Sequence, residues 1–269
     1  MSNVMENPPV FHMLLQVQFN RLPLIGKHID HIQDEFRKYG FPDSSHAVQT
    51  EAQINISNND PAQGINFEQH QIHTWAFLDF EKTTGYMLTE NFIVFHTTDY
   101  KNFEAVQPKI LKGIEIIHDI VKIDYIERVG MRFLNAISPN DEAALSDHVQ
   151  ESVLGFDSEE LVARGFTKQQ SVSESIFNHG TYFCVSRAVT GTVENAPPLM
   201  PHDLHPLIST MKLKEKFRKM NGKIVILDID CSEVDRKKMD LAQLDHAVVT
   251  LHDNVKSVFA STIKSPKVQ

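Results

Sequence analysis

Tyr125 to Ile137 reads YIERVGMRFLNAI. Its apolar residues are those of a buried strand, yet it carries Arg128, Arg132 and Asn135. On an extended chain, Arg128, Gly130, Arg132 and Leu134 share one side, and Val129, Met131, Phe133 and Asn135 share the other. Gly130 admits a bulge or a close backbone approach.

The segments around this strand alternate between two periods. Val10 to Phe19 (VFHMLLQVQF) has the period of a strand. Leu24 to Tyr39 places Ile25, Ile29, Ile32, Phe36 and Tyr39 at helical spacing, with Pro23 suited to its first turn and Gly40 to its end. Ala47 to Gln69 reads as a polar loop with a weak strand around Ala52 to Ile56. Ile72 to Phe80, Gly85 to Thr89 and Phe92 to Thr97 read as an antiparallel meander. A helix then follows, with Asp99 as its N-cap and Pro108 as a kink or a late start. Its stripe is Phe103, Val106, Ile110, Ile114, Ile117 and Val121.

The second part is less regular. Glu142 to Arg164 predicts helix in pieces. Ser173 to Thr190 predicts one long strand with a bulge or turn at Gly180, and Glu194 to Pro206 a proline-rich loop. Lys212 to Met220 predicts a short basic helix closed by Asn221-Gly222. Lys223 to Cys231 predicts a strand, and Asp235 to Ile263 a long helix striped by Leu241, Leu244, Val248, Leu251, Val255, Val258 and Phe259. Strands neighbour strands and helices fall between the groups. The expectation is an α+β fold: a largely antiparallel β-sheet of two loosely related halves, 1–138 and 139–269, within one globular unit. Long amphipathic helices, including the C-terminal one, pack on that sheet.

Composition narrows the function. The chain has 269 residues, 41% of them hydrophobic, and a formal net charge of −9. Nonspecific nucleic-acid binding draws on an excess of Lys and Arg, and the balance here is the reverse. Two cysteines, Cys184 and Cys231, lie in apolar runs and read as buried thiols rather than a disulfide framework. The N-terminal residues lack a charged, apolar leader, and no apolar run approaches the ~20 residues a membrane span needs. A cytoplasmic protein without a membrane role is expected.

A set of motifs resembles a sporadically distributed bacterial protein family of unknown function. They are NPPVFHMLLQVQF, the WAFLDF strand followed by YMLTENFIVFHTTDY, Tyr100 and Phe103 opening the next helix, RVGMRFLN, and the C-terminal HDNVKSVFASTI. The likeness is specific over Trp75 to Ile137 and poor from Ala144 to Leu213. It implies a single-domain cytoplasmic protein scattered among mobile genome regions, suited to defence or toxin–antitoxin conflict. It brings no catalytic residues.

Three chemistries compete for the polar residues. Arg128, Arg132, Asn135 and Arg187 form a candidate anion or partner-binding set, although the preferred reading has Arg128 and Arg132 meeting carboxylates across the sheet, Asp228 and Asp230 among them. Lys212, Lys214, Lys216, Arg218 and Lys219 form the one basic run, which is a candidate nucleic-acid edge or a solvated helix face. His202, Asp203, His205, Asp228, Asp230 and His252 are metal-ligand types, and on them rests the alternative of a metal-dependent hydrolase or nuclease. No GxSxG, HExxH, GxGxxG or phosphate-loop motif occurs. The expectation is a non-enzymatic interaction or ligand-binding protein without a cofactor, engaging a protein partner or a second copy of itself.

Overall fold

A computed structural model describes residues 8–55, 66–139 and 144–264, with backbone alone for 51–55 and 66–70. The elements run β1 (Val10–Phe19), α1 (Ile29–Lys38), β2 (Asp43–Asn55), β3 (Asn66–Leu78), β4 (Thr84–Leu88), β5 (Phe92–Thr97), α2 (Phe103–Val121) and β6 (Tyr125–Ile137). They continue with α3 (Leu145–His148), α4 (Glu159–Ala163), β7 (Ser171–His179), β8 (Tyr182–Ala196), α5 (His205–Ile208), α6 (Glu215–Arg218), β9 (Met220–Lys238) and α7 (Leu241–Thr262). The fold is α+β. Nine strands form one sheet in the order β2-β3-β4-β5-β1-β6-β9-β8-β7, and every neighbouring pair is antiparallel.

That order contains the two related halves. Each half opens with a strand that takes a central place, β1 or β6. Helical structure follows, then a meander whose last strand, β5 or β9, returns beside the opening one. A long helix, α2 or α7, closes each half. The halves meet along β1 and β6, so the arginine strand lies at the seam. A division at 138 groups β6 with the first half; the strand order matches it with the second.

The helices cover one face. Ile32 and Phe36 of α1, Ile110, Ile114 and Ile117 of α2, and Leu244, Val248 and Leu251 of α7 join one core cluster. Met13, Leu15, Phe77, Tyr86, Phe95, Met131, Phe133 and Ile229 rise from the sheet to meet them. Burying a side chain of this size contributes roughly 1.5–3 kcal/mol, so this layer dominates stability. At Gly113 the α2 backbone comes so close to β4 that an added Cβ would stand 2.1 Å from the Tyr86 ring. The Tyr86 hydroxyl donates to the Lys109 carbonyl at 2.7 Å.

Among the described residues the opposite face is covered only at one end. A strap formed by α5, α6 and their connections lays Leu204, Leu207, Ile208 and Phe217 on Phe11, Leu134, Ile224 and Ile226. No helix among the described residues is long and apolar enough to cross a membrane.

Several elements differ from the sequence expectation. The polar loop from Ala47 is largely the β2–β3 hairpin, paired from Asp43↔Leu78 to Asn55↔Asn66; residues 56–65 lie outside the described residues. Cross-strand pairing supplies what the polar side chains there do not signal. Of the bulge or turn expected at Gly180, the structure has the turn, with φ +58°, so that the segment is the β7–β8 hairpin. Asn102 rather than Asp99 caps α2, its side chain accepting from the Ala105 amide, and Pro108 sits inside the helix. The basic helix is limited to α6. Asn221-Gly222 lies within β9, where Gly222 at φ +88° accompanies a register shift against β8. Finally, β9 continues to Lys238, and Asp240 caps α7 by accepting from the Ala242 and Gln243 amides.

Candidate functional site

The arginine side of β6 faces away from the helices. Arg132 is 9% exposed and Asp228 of β9 is 3% exposed. The Arg132 Nε and Nη2 donate to the two Asp228 oxygens, both at 2.7 Å, in a bidentate pair. Nη1 reaches Asp203 on the strap at 2.5 Å. Arg187 stands directly across from Asp228 in the β8–β9 register and donates to it at 3.2 Å. Arg187 also grips Glu174 of β7 through a second ion pair. Burial lowers the tendency of Arg132 to hold its proton, but Asp228 and Asp203 outweigh it and raise its pKa. A buried carboxylate between two guanidiniums is fully compensated, and removing one partner strands charge.

Arg128 is held differently. Its register partner on β1 is Gln18, yet its Nη1 donates at 2.9 Å to Gln16, the partner of Gly130. The guanidinium therefore lies across Gly130. A Cβ at position 130 would stand 2.7 to 2.9 Å from three of its atoms. Asp230 is 3.8 Å from Arg128 Nη2. Burial raises the Asp230 pKa, only partly offset by Arg128 and Arg132.

These side chains lie in a trough of about 690 Å³ that crosses the uncovered face. Strands β2 to β4 form one side and the strap residues Asp203 to Thr210 the other. A second hollow of about 320 Å³ shares Arg132, Asp203 and Asp230 with it and adds Val185, Arg187 and Asp228. Three arginines thus meet four carboxylates, the fourth being Glu174. Beyond the hollow the same face carries Val172, Ile176, Phe183 and Val234, from 40% to 66% exposed. On that face too, the imidazoles of His12 and His96 are buried, with centroids 5.7 Å apart. Burial holds His12 well below its usual pKa, helped by His96 and Arg132, and brings His96 to about 4. Among the described residues neither His12 ring nitrogen has a hydrogen-bond partner.

The candidate residues separate into groups. Arg128, Arg132 and Arg187 share the trough face. Asn135 lies on the helix face, donating to the Leu227 carbonyl at 3.2 Å, and it lines a different cavity of about 190 Å³. The set of four is therefore not one site, because a single residue's step along a strand changes the face. The six metal-ligand types do not converge either. His252 lies on α7, stacked on Phe103 at 4.0 Å, on the far side of the sheet from Asp228 and Asp230. His202 and His205 stack on each other along the strap. Among the described residues no three His, Cys, Asp or Glu side chains are arranged to hold a metal ion.

The basic run fastens the strap. Lys214 donates to the Tyr100 carbonyl at 2.6 Å and lies 3.4 Å from Asp99. Lys216 donates to the Pro8 carbonyl at 2.8 Å, and Arg218 to the Leu213 carbonyl and Glu215. The Lys212 carbonyl accepts from Thr98. Lys219 follows α6 as its C-cap.

Gln16, Glu174 and the pair His12 and His96 escaped the reading of the sequence. Each had a local signal: a polar side chain alternating inside an apolar or paired strand. What the signal lacks is the identity of the neighbour across the sheet. The chain matches no protein-family model and no curated protein. The likeness carried by RVGMRFLN rests on those residues alone.

Proposed function

We propose that the chain is a non-enzymatic binding protein whose uncovered sheet face receives a protein partner. The observation that carries this reading is the trough itself, bounded by the strap and continuous with a self-neutralised ionic cluster and an uncovered apolar patch. Protein interfaces combine such an apolar surface with a few desolvated charges, arginine above all. The arginines are already matched by carboxylates, which disfavours a polyanion, and a net charge of −9 points the same way. The family resemblance adds the setting of a mobile bacterial defence or toxin–antitoxin system, where a cytoplasmic binding component has a role.

The test is affinity capture with quantitative proteomics, run in parallel on the unaltered chain, Arg128→Ala, Ile176→Asp and His252→Ala. One stoichiometric protein that survives nuclease treatment, and that the two trough-face variants lose while His252→Ala keeps it, supports the reading. Capture that only His252→Ala abolishes places binding at the helix-side cavity instead. Material released by nuclease turns the assignment to nucleic acid. Self-association lost by the trough-face variants makes the partner a second copy.

A further inference from the structure

The β8–β9 register sets Cys184 directly across from Cys231. Both cysteines are free thiols. In an antiparallel pair, residues directly opposite have Cα atoms about 4.5 or about 5.5 Å apart, depending on the pair type. Either value lies within the 4.4–6.8 Å range that disulfides span. Opposite residues also point to the same side of the sheet, here the helix face, where Cys231 is fully buried in the main core. Cys184 is half-buried, next to the exposed Phe177 across the β7–β8 ladder. One thiol is thus reachable from solvent and the other is sheltered behind it.

We infer that Cys184 and Cys231 are a cross-strand thiol pair that hydrogen peroxide converts to a disulfide. The Cys184 thiolate attacks the peroxide, breaks its O–O bond and becomes a sulfenic acid, releasing the remaining oxygen as hydroxide. The Cys231 sulfur then attacks the sulfenic sulfur. The S–S bond forms, the S–O bond breaks and the oxygen leaves with the Cys231 proton, so two thiols and one peroxide yield one disulfide and two waters. A hydrogen bond with Cys231 favours the Cys184 thiolate, while the same bond and burial keep Cys231 protonated. The roles of attacking and resolving thiol follow. Directly opposite strand residues hold their Cβ atoms at about 4.5–5.5 Å, wider than a relaxed disulfide prefers. The bond is therefore readily reduced again. It would tie β8 to β9 across the loop that carries the strap.

The test treats the full folded chain with hydrogen peroxide, then counts thiols in denaturant and measures intact mass. The expected result is loss of both thiols with a mass decrease of two hydrogens, reversed by dithiothreitol. Cys184→Ser, checked for native circular dichroism, should retain its Cys231 thiol under the same treatment. Two intact thiols after treatment would overturn the inference. So would oxygen addition at Cys184 without loss of the Cys231 thiol, or loss of Cys231 in Cys184→Ser at the unaltered rate.

Discussion

The guanidinium of Arg128 lies over Gly130 because no side chain there excludes it; Nη1 would meet an added Cβ at 2.7 Å. The atoms in the way are the far end of a flexible side chain. Gly130→Ala should therefore displace Arg128 from Gln16 while leaving the stability within about 1 kcal/mol of the parent, since alanine also reduces the freedom of the unfolded chain. Urea denaturation checks the stability. Partner capture should fall for Gly130→Ala as it does for Arg128→Ala.

Arg132 should behave oppositely. Arg132→Met leaves the buried Asp228 with Arg187 alone, and a loss of about 3–5 kcal/mol is expected. Adding Asp228→Leu should restore most of it, because the stranded charge disappears with its site. Asp203→Asn touches the same guanidinium from a 62% exposed side chain and should cost under about 1 kcal/mol. Chemical denaturation of the parent, Arg132→Met, Asp228→Leu alone and the double variant yields the coupling energy.

His12 and His96 make stability fall on mild acidification. Both have folded pKa values below the unfolded value of 6.5, so the unfolded chain binds more protons as the pH drops. Their contribution is fully present above pH 6.5 and is lost as the pH falls from there toward about 4, the folded value of His96. The unfolding free energy from urea titrations should decline through that window with a slope approaching about 2.7 kcal/mol per pH unit while both sites titrate in the unfolded chain alone. His12→Met/His96→Met should flatten it.

Gly113→Ala drives a methyl group into the Tyr86 ring and should destabilise by about 1–3 kcal/mol through overpacking. The double variant Gly113→Ala/Tyr86→Leu opens the space and should lose less than the sum of the two single changes. Thermal unfolding of the three variants decides it.

The residue stripes of α1, α2 and α7 were legible in the sequence, because a long helix on a large core repeats its pattern many times. The face assignment of Arg128, Arg132 and Asn135 was legible for the same reason. Asp228 and Asp230 could be read as partners of the β6 arginines, but the choice of Arg132 for Asp228 depends on a diagonal across the β6–β9 register. The β2–β3 hairpin was hidden, since its pairing lies in backbone hydrogen bonds between polar segments. The separation of His252 from the other histidines was hidden too: α7 begins after β9 crosses the sheet, and no local pattern says on which side it returns.

The seam between β1 and β6 bears on how the chain folds during synthesis. Strands β1 to β5 with α1 and α2 all lie before residue 122, and in the finished fold they make a contiguous five-stranded block under two helices. If this block folds before β6 is made, β1 is the edge that β6 later pairs with, and it stays open and highly apolar until β6 leaves the ribosome. Unpaired edges of this kind recruit foreign strands. Slow translation just before Tyr125 would lengthen that exposure, and fast translation through β6 would close it.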